Sequence, residues 1–272
     1  MKQSLKALIK SLDSITDKGS KDVEILGLCN NSKSAAPGYV FFAKKGAIAH
    51  GNQYIQEAID AGCICVVTDL YDPFLQVPSQ VITSDVQGLE IAMTQRFYGD
   101  PSKGLFTVGI TGTNGKTTTS YLIKNLFEAF LGPAGLIGTV EWAIKDTSFP
   151  STHTTPDVIT NHKLLYEMGQ AGCKSAIMEV SSHGLEQNRV AGIDFDVVVY
   201  TNLTEEHLDY HKTFDAYALA KAKLFSSHAK QRKAPKYAVI NADCPWHETV
   251  TGGFRGPKVF YGFSDKAQLR AQ

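Results

Sequence analysis

The sequence carries no net charge and no long apolar run, and each absence excludes a class of protein. Lys and Arg together number 27, as do Asp and Glu, so the chain lacks the overall basic character of a nucleic-acid-binding domain. No apolar run approaches the ~20 residues that a transmembrane helix needs. Residues 1–13 are amphipathic and lack the apolar centre and cleavage site of a signal peptide. We therefore expect a cytoplasmic protein whose partners include neither nucleic acid nor a membrane.

Cysteines are too few and too scattered for a disulfide framework. Their number is odd and most lie within apolar runs: Cys29, Cys63, Cys65, Cys173 and Cys244. This pattern predicts buried thiols in a reducing compartment rather than disulfides or a zinc site.

The composition is that of a folded chain with about two domains. Of the 272 residues, 43% are hydrophobic and 20% are charged, which excludes the disordered class. At about 150 residues per domain, the length predicts roughly two domains. Segment 99–104 contains two glycines and a proline. We predict a boundary there, with an N-terminal domain at 1–102 and a second domain at 103–272.

Strand and helix patterns alternate in both predicted domains. Short apolar strands separated by helices predict an α/β fold with a mainly parallel sheet and helices on both faces. The predicted strands lie at 39–43, 63–67, 81–82, 105–110, 175–179, 195–200, 237–240 and 259–263, and the predicted helices at 53–61, 89–97, 117–130, 157–169 and 214–225.

A glycine-rich turn connects the predicted strand 105–110 to a helix. In a phosphate-binding loop of this kind, backbone N–H groups and the helix N-terminus face phosphate oxygens, the lysine reaches the β- and γ-phosphates, and a Ser or Thr hydroxyl binds Mg²⁺. The general pattern has glycine at position 110, whereas this chain has Ile110 preceded by Gly109. The strand–turn–helix context still favours a phosphate loop over a turn with a solvated lysine. The segment comprises Gly112, Thr113, Asn114, Gly115, Lys116, Thr117 and Thr118.

Acids and histidines follow two further predicted strands. In open parallel sheets, ligands collect beyond the carboxyl ends of the strands. Glu179 at such an end is a suitable oxygen ligand for Mg²⁺ beside Thr117. Taken without the rest of the pattern, this residue is better interpreted as an ordinary acid at the end of a strand. The loop 201–211 ends the next strand and carries further acids and His207, so a second metal position is plausible. We assign His211 to the surface or to a hydrogen bond.

Two lysines two residues apart lie on the predicted helix 214–225. Residues two apart point to different faces of a helix. One of Lys221 and Lys223 could therefore face the crevice at the carboxyl ends of the strands while the other is solvated. An inward Lys221 would suggest a phosphate contact or a modification that makes it an anion. The pattern alone favours two solvated lysines.

Three segments of the second domain form a specific combination of motifs. They read G-T-N-G-K-T-T at 112–118, E-V-S-S-H-G-L at 179–185 and T-N-L-T-E-E-H-L-D-Y-H at 201–211. Together they resemble the Mur ligases of peptidoglycan synthesis. The stretch 178–190 resembles the members that add the third peptide residue to UDP-N-acetylmuramoyl-L-alanyl-D-glutamate. The resemblance runs from about residue 23 to the last residue.

The resemblance implies a UDP-substrate domain, a central ATPase domain and a C-terminal domain that supplies the incoming amino acid. On this basis the chain is a fragment: 1–102 would bind the UDP-muramoyl moiety, 103–272 would be an incomplete ATPase domain, and the third domain would be absent. The implied reaction uses ATP and Mg²⁺ and proceeds through an acyl phosphate. The added residue would be meso-diaminopimelate or lysine, with diaminopimelate the commoner choice.

The resemblance also implies roles for single residues. Catalysis would involve Lys116, Glu179, His207 and a carbamylated Lys221, and the carbamate would supply the anion that an inward lysine requires. Metal ligands would be Thr117, Glu179, His207 and Lys221. Contacts to the UDP-muramoyl dipeptide would come from His153, Thr154, Thr155, Ser181, Gln187 and Arg189, and from the N-terminal residues Asn30, Ser32, Ala47, Ile48 and Ala49.

The N-terminal match is looser than the match of the second domain. The sequence Asn31-Ser32-Lys33 stands where the family usually has D-S-R. The detailed uridine contacts therefore stay open. Without the implied C-terminal domain, the chain could also be a fragment that binds the UDP precursor without ligase activity, and a further alternative is an unrelated P-loop kinase or ATPase. The sequence does not indicate an oligomeric state.

Overall fold

The computed structural model describes residues 1–46, 50–226 and 237–271. The predicted contacts Ala47, Ile48 and Ala49 lie outside the described residues. The chain divides into two compact units, Met1–Gly99 and Asp100–Gln272. All five cysteines are buried thiols, as predicted.

The first unit is built on a five-stranded sheet with the order β2-β7-β6-β5-β4. Strands β4 to β7 run parallel and β2 is antiparallel at the edge. A separate pair, β1 and β3, is antiparallel. The strands are β1 (Gln3–Ser4), β2 (Thr16–Gly19), β3 (Glu24–Ile25), β4 (Gly27–Cys29), β5 (Tyr39–Phe42), β6 (Cys65–Thr68) and β7 (Ser79–Ile82), and the helices are α1 (Leu5–Ile9), α2 (Ile55–Asp60) and α3 (Val86–Tyr98).

Local sequence explains the bounds of helix α3. The Asp85 side chain accepts a hydrogen bond from the Gly88 N–H at the N-cap, and Gly99 ends the helix with φ +70°, a conformation that favours glycine. The helix buries Leu89, Met93 and Phe97, the residues whose spacing predicted it.

The second unit is built on a nine-stranded sheet with the order β11-β10-β9-β12-β8-β13-β14-β15-β16. The neighbouring strands β9, β12, β8, β13, β14, β15 and β16 pair in parallel. Strands β10 and β11 are antiparallel and form one edge of the sheet. The strands are β8 (Phe106–Thr111), β9 (Ala134–Ile137), β10 (Glu141–Ile144), β11 (Thr147–Pro150), β12 (Ser175–Glu179), β13 (Val197–Tyr200), β14 (Tyr237–Asn241), β15 (Lys258–Gly262) and β16 (Leu269–Arg270).

Helices connect these strands. Strands β9 and β12 are buried along their whole length, as expected for parallel strands covered on both faces.

No helix within 1–46, 50–226 and 237–271 is both long and apolar enough to cross a bilayer. The helices of this unit are α4 (Lys116–Phe130), α5 (Val158–Gln170), α6 (Ser182–Glu186), α7 (Leu208–His211), α8 (Phe214–Ser226) and α9 (His247–Thr251).

The structure confirms the predicted α/β fold class and adds an edge that the sequence analysis missed. Strands β9, β10 and β11 were absent from the prediction, which placed no strand between the helices 117–130 and 157–169. Strand β11 is exposed along its whole length, so it lacks the apolar alternation that identifies a strand.

Candidate functional site

The phosphate loop lies between β8 and α4, at the centre of the parallel strands of the second unit. Gly112 has φ +153°, and a Cβ there would lie 1.9 Å from the Thr201 hydroxyl. Gly115 has φ +82° and open space around it. Both positions therefore require glycine. Gly109 lies within β8, where a Cβ would meet the Phe195 ring at 2.9 Å; it is a packing glycine rather than part of the loop.

Lys116 lies folded over the loop. Its Nζ donates to the carbonyl oxygens of Gly112, at 3.0 Å, and Thr113, at 2.7 Å. Burial lowers the pKa of Lys116, while the nearby acids Glu179 and Glu206 act in the opposite direction. The lysine is thus positioned at the loop and is held by neutral carbonyl groups that a phosphate oxygen could replace.

Glu179 ends strand β12 and is fully buried. Its Oε2 accepts hydrogen bonds from the hydroxyls of Thr117 and Thr139, each at 2.9 Å. Its Oε1 accepts from the Thr139 N–H at 3.1 Å and lies 3.5 Å from the Ser120 hydroxyl, which donates to the Thr117 carbonyl at 2.8 Å. The structure thus brings the predicted pair Thr117 and Glu179 together, and surrounds the carboxylate with neutral donors.

Lys221 faces inward on α8 and is 1% exposed. Its Nζ donates to the Gly112 carbonyl at 2.8 Å and lies 4.4 Å from the centre of the Tyr217 ring. Burial, together with the charge of Lys116, lowers the pKa of Lys221 well below its ordinary value. Lys223 points outward and pairs with Glu186. The preference of the pattern for two solvated lysines was therefore wrong.

Four of the predicted substrate residues of this unit belong to one hydrogen-bonded network: Thr155, Ser181, Gln187 and Arg189. The Thr155 hydroxyl donates to the Glu179 carbonyl at 2.8 Å and accepts from the Ser181 N–H at 2.9 Å. Arg189 donates to the Thr155 carbonyl at 2.8 Å and to the Gln187 side chain. These contacts join the loop 153–156 to the segment 181–189.

Two further predicted residues lie at the margin of this network. The Thr154 hydroxyl lies 3.0 Å from the Thr139 hydroxyl. His153 is exposed, and its Nδ1 lies 3.3 Å from the hydroxyl of the adjacent Thr152.

His207 lies among aromatic rings rather than against Glu179. Its ring centre is 4.8 Å from that of His183 and 6.0 Å from that of Tyr217, and its Nε2 is 3.6 Å from Glu206. No cluster of three or more His, Cys, Asp or Glu side chains suited to a metal occurs in the described parts of the chain. The metal role of His207 therefore stays a prediction.

His211 is buried, and its Nε2 lies 3.0 Å from the Ser182 hydroxyl. Of the two predicted alternatives, a surface position and a hydrogen-bonded one, the structure favours the second.

In the first unit, two predicted substrate residues bind carboxylates of their own unit. The Asn30 side chain donates to Glu90 Oε1 at 2.7 Å, and the Ser32 hydroxyl donates to Glu57 Oε2 at 2.8 Å. Both residues follow β4, at the carboxyl end of a parallel strand. That edge is where open parallel sheets bind ligands.

Three residues at the site of the second unit were not predicted: Thr139, Asn202 and Tyr217. The backbone and side chain of Asn202 accept from the N–H groups of Thr113 and Asn114, each at 2.9 Å. The Tyr217 hydroxyl lies 3.0 Å from the Thr113 hydroxyl. Thr139 lies two residues after the missed strand β9, so predicting that strand from the apolar run at 134–137 would have drawn attention to it.

The residues present fit a nucleotide phosphate and one Mg²⁺. The loop has the required glycines and a lysine that donates to two backbone carbonyls, and Thr117 and Glu179 offer two adjacent hard oxygen ligands. Mg²⁺ commonly binds through one or two protein oxygens while retaining waters and phosphate ligands. The fold and site thus define an α/β nucleotide-binding protein of the P-loop class.

Comparisons with known proteins narrow this class to a family. The model of the Mur ligase middle domain matches residues 110–272, more than half of the chain. The chain belongs to the Mur ligase family.

Curated relatives and solved structures extend the similarity over both units. A UDP-N-acetylmuramoyl-L-alanyl-D-glutamate–2,6-diaminopimelate ligase from Chlamydia abortus is 41% identical, over 92% of this chain and 50% of that protein. The ligase of the same name from Caldanaerobacter subterraneus subsp. tengcongensis is 38% identical, over 94% and 52%. A solved structure with that ligase name matches with TM-score 0.78 and 28% identity, over 98% and 54%. The chain spans about half the length of the relatives it matches.

Proposed function

We propose that this chain carries the ATP site and the UDP-precursor site of an amide ligase of cytoplasmic peptidoglycan precursor synthesis. The ligase would add a third residue to UDP-N-acetylmuramoyl-L-alanyl-D-glutamate. The observation that carries the proposal is the convergence of Lys116 and the buried Lys221 on the Gly112 carbonyl, beside a buried Glu179. An ordinary P-loop has use for the first lysine but no evident use for the second.

Lys116 and Thr117 would serve the nucleotide. Lys116 would exchange the carbonyls of Gly112 and Thr113 for phosphate oxygens, which form stronger, charge-assisted hydrogen bonds. Thr117 and Glu179 would hold Mg²⁺, which when bound neutralises charge that develops on the phosphates. His207 would offer an imidazole nitrogen to a second metal.

Lys221 would act as a carbamate. Addition of CO₂ needs the neutral amine, and burial beside Lys116 lowers the pKa of Lys221 and so favours that form. The amine nitrogen bonds to the carbon of CO₂ and releases a proton. The product is an anion next to the phosphate loop, where it could bind a cation.

The loop 153–156 and the segment 181–189 would hold the peptide end of the precursor. The D-glutamate side-chain carboxylate would attack the γ-phosphate, which gives an acyl phosphate and ADP. The amine of the incoming residue would then displace phosphate and lose a proton, leaving an amide. Arg189 provides a planar donor group for a carboxylate or phosphate. His153, Thr154, Thr155, Ser181 and Gln187 are the other proposed contacts in this unit.

The first unit would bind the UDP moiety through Asn30, Ser32 and the segment that contains Ala47, Ile48 and Ala49. The names of the relatives favour meso-2,6-diaminopimelate as the added residue. Because the chain covers half of these relatives, the activity of the complete ligase is part of the proposal.

The direct test measures ADP release by the chain with ATP, Mg²⁺, the UDP-muramoyl dipeptide and either diaminopimelate or lysine. Calorimetric titration with the dipeptide alone runs in parallel. Turnover that requires the dipeptide and diaminopimelate supports a ligase, and binding without turnover supports a precursor-binding fragment. ATP hydrolysis without affinity for the dipeptide would contradict the proposal and favour an unrelated P-loop ATPase.

Carbamylation is tested in any form of the protein that turns over. Lys221→Ala should lose activity and regain part of it with added short carboxylates, which replace the carbamate oxygens. The matched control is Lys223→Ala, which removes a solvated lysine from the same helix and should keep full activity. A Lys221→Ala variant with undiminished activity would refute the role.

A further inference from the structure

Thr139 lies between the two proposed ligand sites of the second unit. It follows β9, and its backbone N–H and its hydroxyl both donate to Glu179, at 3.1 and 2.9 Å. The same hydroxyl lies 3.0 Å from that of Thr154. Glu179 belongs to the nucleotide side of the site and Thr154 to the precursor side. Thr139 itself is exposed, so its hydroxyl lies at the surface of the crevice.

Hydrogen counting sets the direction of these bonds. A threonine hydroxyl has one hydrogen, and an ionised carboxylate only accepts. While the Thr139 hydroxyl donates to Glu179, it must accept from Thr154. The hydrogen of Thr154 then points towards Thr139 and is withheld from any ligand in the crevice.

A cation on Glu179 would change that direction. It would compete for the carboxylate oxygen that now accepts from the Thr139 hydroxyl, and it would repel the hydroxyl hydrogen. Thr139 could then donate to Thr154, and the hydrogen of Thr154 would become available to an anionic oxygen of the precursor. The Thr139 N–H still holds the other carboxylate oxygen, so Glu179 keeps its position.

We propose that Thr139 is a positioning residue that couples the two sites, because the direction of its hydroxyl hydrogen bond changes with occupancy of Glu179. The proposal rests on the function proposed above. It predicts that Mg²⁺ with nucleotide strengthens binding of the UDP-muramoyl dipeptide. By thermodynamic reciprocity, the dipeptide strengthens binding of the nucleotide by the same factor.

The test is a pair of calorimetric titrations of the dipeptide, without and with saturating Mg²⁺ and a non-hydrolysable ATP analogue. The ratio of the two dissociation constants is the coupling factor. In the natural chain we expect a factor of about 2 to 10, the net worth of one hydrogen bond. In Thr139→Val, which keeps the backbone N–H and the side-chain shape, the factor should fall to about 1.

Three further variants separate coupling from general damage. Thr139→Ser restores the hydroxyl and should restore the factor, and Thr152→Val, a threonine outside the contact, should leave it unchanged. Thr154→Val should remove the coupling without adding to the effect of Thr139→Val, as expected when both act through one hydrogen bond. Thermal unfolding of each variant checks that it is folded.

The outcomes distinguish the two proposals. If the natural chain binds neither ligand, the proposed function fails. If the natural chain binds both ligands but shows no coupling, or if Thr139→Val keeps the natural factor, the coupling role of Thr139 is refuted while the proposed function stands.

Discussion

Among the described residues, each unit has one glutamate that is completely buried, and the two carboxylates have different hydrogen-bond partners. Glu90 in the first unit accepts from the Lys44 ammonium at 2.6 Å and from the Asn30 amide at 2.7 Å. Glu179 in the second unit accepts from two hydroxyls and one backbone N–H. Within the described residues, Glu179 forms no salt bridge, although Lys116 is near enough to be influenced by its charge.

The difference separates a structural carboxylate from one suited to bind a ligand. A buried charge needs compensation, and Lys44 supplies it to Glu90 permanently. Neutral donors orient Glu179 but leave its negative charge available to a cation. The contrast predicts that loss of a partner destabilises the first unit, whereas changes around Glu179 alter ligand binding.

The largest effect should follow from removing the cation beside Glu90. Lys44→Met leaves that carboxylate buried without its ion pair, and we expect the free energy of unfolding to fall by about 3 kcal/mol. Hydrogen exchange of peptides from β4 to β7 would measure the loss. Lys2→Met breaks the exposed pair with Glu24 and should cost at most about 0.5 kcal/mol. Equal effects would show that burial does not distinguish the two pairs.

Lys116→Ala should act on binding rather than on stability. Loss of charge-assisted hydrogen bonds to phosphate should weaken affinity for an ATP analogue by about 10- to 100-fold. Calorimetry measures this change. Lys124→Ala, on the same helix and paired with Glu128, is the control and should bind normally. Unchanged affinity in Lys116→Ala would contradict the proposed role of the loop in nucleotide binding.

Glu179→Gln should have the opposite effect to Lys44→Met: a small effect on stability and a large one on ligand binding. Because the threonine hydroxyls can rotate to accept from an amide, the free energy of unfolding should change by at most about 1 kcal/mol. The dependence of nucleotide affinity on Mg²⁺ should weaken markedly, and Glu167→Gln on exposed α5 surface serves as control. A loss of stability as large as that of Lys44→Met would show that Glu179 has a structural role like that of Glu90, which would contradict the proposed difference between the two carboxylates.

The smallest effect concerns acid sensitivity of the second unit. Burial lowers the pKa of His162 from its ordinary 6.5, so the unfolded chain binds its proton more readily than the folded chain. The stability contribution of the neutral imidazole is complete above pH 6.5 and is lost as pH falls through the lowered folded pKa. Fluorescence of Trp142 and Trp246, both in this unit, would follow unfolding against pH. His162→Gln should flatten the profile, and an unchanged slope would contradict the assignment.

Much of the second unit was predictable because its signals are local. The strand 175–179 is largely apolar, and the glycines at 112 and 115 mark the turn that precedes helix α4. The edge formed by β10 and β11 was not predictable from such patterns, because a half-exposed or fully exposed edge strand shows little apolar alternation. Thr139 was missed together with β9, and its role depends on Glu179 at the end of the neighbouring strand β12.

The sequence by itself determined the fold class, the glycines of the phosphate loop and the motifs of the family, because these depend on residue type and short spacing. Tertiary structure alone decided that Lys221 is buried while Lys223 is solvated, and that Thr139 contacts both Glu179 and Thr154. The physical reason is that burial and hydrogen-bond direction depend on groups distant in the chain. Lys221 and Gly112 are 109 positions apart, and only the packing of α8 against the central strands brings them together.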